Sequence, residues 1–239
     1  MSSTLLRPLA LLCGYDLRTI RRSDSIDLNL RRYIKAHEVG LVIDCGAHVG
    51  DFAKMCRWAG YQGRLMSFEP ASEQFAKLEK NAAADPGWSV HRIGLGAEQA
   101  TLALNINAGS NFNSVRASKE DMTGRFPALV TTATQSIEVR RLEQVLDDAD
   151  VSLDTPIFLK TDTQGYDLEV IEGVGGRLAQ VQAIMVEMPV HPIYQGAPDH
   201  WSIATTLRDL GFDLYSFSTV SRDAHGGVIE YDAIWKRST

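Results

Sequence analysis

Cysteine is scarce in this sequence. Cys13, Cys45 and Cys56 are the only three, at spacings that match no metal-ligand pattern. Three thiols cannot all pair within one chain, so a disulfide scaffold is not expected and free thiols in a reducing compartment are. No apolar run reaches the ~18–20 residues of a membrane-spanning helix. The stretch LLRPLALLCG has the apolar character of a signal sequence, but Arg7 and Pro8 interrupt it and no small-residue cleavage site follows, so a cytoplasmic location is expected. Basic residues are in the minority, 24 against 30 acidic ones, for a formal net charge of -6. Nucleic acid and anionic membrane are therefore not expected partners. His37, His48, His91, His200 and His225 show no zinc-type clustering. A G-x-S-x-G elbow and a Walker loop are both missing, which removes the main signals of hydrolases and kinases.

What is present is ordinary globular composition over 239 residues, 44% hydrophobic and 23% charged, enough for one domain with a sizeable core. Residues 1–39 read as an N-terminal extension with helical pieces. In SIDLNLRRYIKAH, Ile26, Leu30 and Ile34 recur at helical spacing between Arg31, Arg32 and Lys35. That predicts a helix covering one sheet edge, or one that grips a substrate. From residue 40 to 239 the chain alternates between two periods. GLVIDC is a continuous apolar run that reads as a strand buried on both faces. In DFAKMCRWA, Phe52, Met55, Cys56 and Ala59 fall on one helical face. GRLMSFEP is a second strand, EQFAKLEKNAA a second helix, and WSVHRIGLG (88–96) a third strand. This β-α-β-α-β order implies a parallel sheet with helices on both faces. Residues 97–140 break the rhythm as a β-rich insertion, with strands TLALNI and SIEVRRL around the polar stretch NAGSNFNSVRAS. PIFLKTD, DLEVIEGV, AIMVEM and IATTLRDLGF then resume strand and helix in turn. The connection between DLYSFS and VIEYDAIWK is too short for a crossover helix, which predicts an antiparallel final pair.

Chemistry-bearing residues gather at predicted strand ends. After Asp44, the segment Gly46-Ala47-His48-Val49-Gly50 opens a helix, where glycine lets backbone approach a ligand and free N–H groups face it. Its G-x-x-x-G spacing is not the G-x-G-x-x-G of dinucleotide binding and favours a nucleoside without a pyrophosphate. An ordinary βα turn is the plain alternative. Glu69 at the tip of the second strand suits both ribose hydroxyls, or is simply a surface acid. Asp162 ends a strand expected beside the first, where ligands of open α/β sheets bind. Three roles are open to it: general base, partner of a cationic centre, or metal ligand. It could also cap the helix beginning near Tyr166 or pair with Lys160. Glu187 ends the fifth principal strand and could share a divalent cation such as Mg2+ with Asp162, or raise its pKa. His191 follows in a Pro-rich loop, as a base or as an exposed side chain.

Together LVIDCGAHVGDFAKMCR, GRLMSFEP, IFLKTDTQGYDLEV, VEMPVHPIYQG and EYDAIWKR resemble the FkbM-type family of S-adenosylmethionine-dependent methyltransferases, over roughly residues 14–237. The resemblance implies an α/β class I methyltransferase fold, Rossmann-like, with a seven-stranded, mostly parallel sheet whose last strand is antiparallel. It implies O-methylation of hydroxyls on sugars or polyketide-like natural products. By the family pattern Asp44, Gly46 and Gly50 line the methionine side of the cofactor and Glu69 binds its ribose. Asp162 lies near the transferable methyl, and Gln164 and Gly165 shape that loop; His48 and Gly94 complete the cofactor set. Two places depart from the family: SNFNSV stands where a Ser-rich stretch is common, and His191 is unusual. Both bear on the acceptor, for which Asn111, Asn113, Ser114 and Tyr194 are the candidate contacts.

The expected reaction is in-line transfer to an alcohol, with Asp162, Glu187 or His191 taking the proton. The expected partner is a small-molecule or glycan acceptor, and a homo-oligomer stays open. Two readings compete. A nicotinamide-dependent sugar oxidoreductase also uses Glu69 on ribose, but the glycine spacing disfavours it. A non-catalytic nucleoside-binding module would be expected to lose the strand-end acids, all of which are kept.

Overall fold

A strand covered on both faces can carry few polar side chains, and two strands here are buried at every position: β1 (Leu41–Cys45) and β7 (Ile157–Thr161). They lie side by side, parallel, at the centre of a seven-stranded sheet. The structure, a computed structural model, describes residues 12–13, 25–124 and 126–238. Most of the stretch before Ser25, including the apolar run near the N-terminus, lies outside the described residues.

From β1 the sheet extends one way through β2 (Arg64–Phe68) and β3 (Trp88–His91). From β7 it extends the other way through β8 (Val181–Pro189), β10 (Val228–Arg237) and β9 (Phe212–Arg222). Only β10 runs antiparallel to its neighbours, because residues 223–227 are too few to cross back over the sheet. The strand order changes direction between β1 and β7, so a crevice opens beyond their carboxyl ends.

Alternate side chains point to opposite faces. Val42 and Phe158 pack with Leu30 and Tyr33 of α1 (Ile26–Ala36), Phe52 and Cys56 of α2 (Asp51–Ala59) and Leu78 of α3 (Ser72–Ala82). Ile43 and Leu159 pack the other way, on Leu142 and Leu146 of α4 (Leu142–Asp148), Val170 of α5 (Asp167–Glu172) and Leu207 of α6 (His200–Asp209). Helix α1 covers a sheet face rather than an edge. Its Tyr33 ring lies 5.3 Å from Phe158 and 5.4 Å from Tyr215.

Two elements differ from the sequence reading. The third strand does not run from 88 to 96: it ends at His91, and β4 (Gly94–Leu95) leaves the main sheet to pair with β6 (Thr131–Arg140). With β5 (Ala100–Asn107), these form a separate three-stranded sheet in the order β4-β6-β5. The second difference is α4, which begins directly after β6. Leu142, Val145 and Leu146 supply its buried face. Among the described residues, no helix is long and apolar enough to cross a membrane.

Candidate active site

The two central loops meet at the point where the sheet changes direction. Gly46 N–H and Ala47 N–H both donate to the Phe68 carbonyl at 3.0 Å, and Asp162 N–H donates to the Cys45 carbonyl at 3.1 Å. Gly46 has φ +69°, and a Cβ there would lie 2.0 Å from the Asp162 carbonyl oxygen. Glycine is therefore required by two independent constraints, conformation and space. His48 is also left-handed, at φ 49°. This turns its N–H to Glu69 Oε2 at 2.8 Å, while its Nε2 shares a 2.9 Å hydrogen bond with Ser110 Oγ. Glu69 Oε1 accepts from Ala71 N–H at 2.8 Å. Each Glu69 oxygen thus has one fixed donor and a lone-pair site to spare. Burial raises the Glu69 carboxyl, and the two backbone donors oppose that rise.

These loops border a cavity of about 450 Å³, within the usual size of a small-ligand site. Around Glu69 its wall is apolar, with Leu104, Ile137 and Val139 from the insertion. Elsewhere the wall carries Lys160, Asp162, Glu187, Glu230 and Asp232. Lys160 Nζ lies 3.1 Å from Asp44 Oδ1, 3.0 Å from the Gly46 carbonyl and 3.6 Å from Asp162 Oδ2. Burial works against its charge, but the Asp44 and Asp162 carboxylates prevail and hold its pKa above the usual lysine range. Asp44 itself is fully buried. Its second oxygen accepts from Ser67 Oγ at 3.3 Å, and Ser67 accepts from Trp88 Nε1 at 2.9 Å.

Asp162 Oδ1 accepts from Gln164 Nε2 at 2.8 Å, and the Gln164 loop is fastened from behind. Ser114 Oγ donates to the Gln164 carbonyl at 2.7 Å, and Tyr194 Oη lies 2.8 Å from Gln164 Oε1 and 3.0 Å from the Phe112 carbonyl. Arg116 Nε donates to the Gly165 carbonyl at 2.6 Å, and its guanidinium pairs with Glu169. Glu187 on β8 stands opposite Asp232 on β10. Burial, and then the negative field of Asp162 and its neighbours, pushes Glu187 well above the carboxylate range. The same causes push Asp232 up to about 7, with Lys160 opposing.

Of the residues singled out from sequence, Gly46, His48, Glu69, Gly94, Asp162, Gln164, Glu187, Asn111 and Asn113 line this cavity. Four others stand behind the wall: Asp44 anchors Lys160, Gly50 packs where a Cβ would lie 2.6 Å from the Trp88 ring, and Ser114 and Tyr194 brace Gln164. His191 is not brought to the cavity. It is exposed, its backbone leans on the Ile229 carbonyl, and it borders a separate recess of about 20 Å³. Asp162 and Glu187 share the wall, but among the described residues no three His, Cys, Asp or Glu side chains are grouped to hold a metal ion. A Mg2+ on that pair gains no support from such a group. Asp162 does not cap α5; Thr163 N–H is instead bound by Asp167. Among the wall residues not singled out as site members are Lys160, Glu230 and Asp232. The alternating acids of IEYD carried a signal, since strand residues two apart face the same side.

The strand order and the cavity at its reversal define the class I S-adenosylmethionine-dependent methyltransferase fold. The donor set suits that cofactor: a tip carboxylate with spare lone pairs, an apolar wall beside it, and a half-exposed Asp162 carboxylate. Within that class, the chain belongs to the FkbM methyltransferase family, whose domain matches residues 44–214. It is 26% identical over 198 residues to methyltransferase sdnD of Sordaria araneosa, covering 72% of this chain and 73% of that one. It is 22% identical over 155 residues to hexuronic acid methyltransferase AglP of Haloferax volcanii, covering 64% and 58%. The chain spans 57–73% of the lengths of the curated relatives it matches. Magnesium protoporphyrin IX methyltransferase of Synechocystis superposes at TM-score 0.47 and 9% identity, over 99% of this chain and 92% of that one.

Proposed function

We propose that this protein transfers a methyl group from S-adenosylmethionine to a hydroxyl of a sugar or glycosylated small molecule. The observation that carries the reading is one cavity lined by both the Glu69 tip and the polar wall of Asp162, Gln164, Asn111 and Asn113. Glu69 and the Gly46–His48 loop would hold the nucleoside, and Asp162 would face the sulfonium. When bound, S-adenosylmethionine supplies an electrophilic methyl carbon. The protein's part is position and charge. Lys160 ties the β1 and β7 loops together and sets its positive charge 3.6 Å from the Asp162 carboxylate beside the cavity. Gln164 fixes that carboxylate's rotation, and Ser114 and Tyr194 fix Gln164. Asn111 and Asn113 bring amide groups suited to hydroxyls.

The hexuronic acid named for one relative supports a sugar as acceptor. The acids on this wall favour a neutral sugar over one bearing a carboxylate, because like charges in a half-buried site repel. The test is incubation with methyl-labelled S-adenosylmethionine and a panel of neutral, amino and acidic sugars. Label on a hydroxyl oxygen of a neutral sugar is expected; label only on nitrogen, carbon or macromolecules rejects the reading.

A further inference from the structure

We infer that Asp232 is the residue that takes the proton from the acceptor hydroxyl. The inference rests on the proposed hydroxyl methylation and names a catalytic group for it. Placement, hydrogen bonding and electrostatics together favour Asp232 over the other candidates. His191 is outside the cavity. Asp162 already has a partner at each oxygen, a hydrogen bond from Gln164 at 2.8 Å and the Lys160 ammonium at 3.6 Å, and in the proposed complex it faces the sulfonium. Burial and the carboxylates around it push Glu187 well above the carboxylate range, which weighs against it as the group that gains a proton. Asp232 lines the cavity, and among the described residues its carboxylate receives no hydrogen bond and no ion pair. It is thus an acceptor with its lone pairs available, on rigid paired backbone between Glu187 of β8 and Ser218 of β9.

The groups that face it set its behaviour: Asp162 and Glu230 raise its affinity for a proton, Lys160 lowers it, and Glu187, itself pushed well above the carboxylate range, stands across the strand pair. A base poised near the working pH is the efficient one. In the step, the acceptor O–H bond breaks and its proton passes to an Asp232 oxygen. The oxygen's electron pair forms the new O–CH3 bond. The S–CH3 bond breaks with its pair kept on sulfur, leaving a neutral thioether.

The sign of the pH dependence follows. Asp232 must be ionised to act, so kcat/KM rises with pH through a limb near 7. Glu230→Gln removes a charge that raises the Asp232 pKa, so it moves the limb to lower pH. Asp232→Asn should lower kcat at pH 8 by ~100-fold or more, while calorimetry shows donor affinity within threefold of wild type. A reading independent of turnover is carbon-13 NMR of labelled aspartate in the wild-type protein: one carboxyl resonance, lost in Asp232→Asn, should titrate near pH 7. Wild-type turnover in Asp232→Asn overturns the inference alone, as does an Asp232 resonance that stays ionised down to the ordinary aspartate range. If Asp232→Asn does not fold, the wild-type limb and its shift in Glu230→Gln decide. A wild-type profile flat through pH 6–8, or a limb unmoved by Glu230→Gln, then overturns it. Wild-type protein that transfers label only to atoms other than oxygen overturns the hydroxyl reading and this inference with it.

Discussion

Lys160 is the residue on which two loops and two carboxylates converge, at 3.1 Å from Asp44 and 3.0 Å from the Gly46 carbonyl. Removing one partner of a buried pair leaves the other charge uncompensated, at a cost of about 3–5 kcal/mol. Lys160→Met is therefore expected to lower Tm by on the order of 10 °C, and Asp44→Asn added to it should recover part of the loss. A thermal scan showing the single variant as stable as wild type would contradict this account of the pair. Asp162→Asn tests the opposite kind of role, a charge that faces a ligand. It should weaken binding of S-adenosylmethionine by about tenfold, ~1.4 kcal/mol, and leave the neutral thioether S-adenosylhomocysteine nearly unaffected. Equal losses for both would assign Asp162 to loop structure instead. Lys160 and Asp162 were conspicuous in sequence because they interrupt an apolar run. Asp232 was not, since an acid in an edge-side strand is usually solvated. Only the antiparallel insertion of β10 beside β8 turns it toward Glu187.

At the scale of elements, the site depends on the close passage of the β1 and β7 loops. Gly46→Ala places a Cβ 2.0 Å from the Asp162 carbonyl at φ +69°. It should cost at least about 2 kcal/mol and abolish measurable donor binding, readable by denaturant titration and calorimetry. The insertion contributes through its hold on Gln164: Ser114→Ala removes a 2.7 Å hydrogen bond to that loop. It is expected to lower kcat severalfold with little change in fold. The central strands were legible because burial on both faces demands apolar runs, which Leu41–Ile43 and Ile157–Leu159 supply. The break after His91 was not legible. Ile93 and Leu95 continue the apolar character of β3, and what diverts the chain is pairing with Val139 and Arg140, some forty-five residues away. Helix α4 was overlooked for a local reason: Arg140 and Arg141 are shared between a strand's end and a helix's beginning.

For the whole molecule, the net charge of -6 and the acidic cavity wall point the same way. A neutral glycoside should be a better acceptor than the matching uronic acid, with the difference shrinking as salt rises. The reverse order in kcat/KM would contradict this reading of the wall, in which the acids outnumber Lys160. The parallel architecture and the Gly46–Glu69 end of the cavity followed from strand-end motifs and hydrophobic period. The polar wall of Asp162, Glu187, Glu230 and Asp232 did not, because β8, β10 and the loop after β7 build it together from distant parts of the chain. The most direct test of the central claim is transfer of labelled methyl from S-adenosylmethionine to a neutral sugar, with the new bond located by mass spectrometry and NMR. The account predicts label on a hydroxyl oxygen, above any transfer to the matching uronic acid. Label confined to nitrogen, carbon, protein or nucleic acid would contradict it.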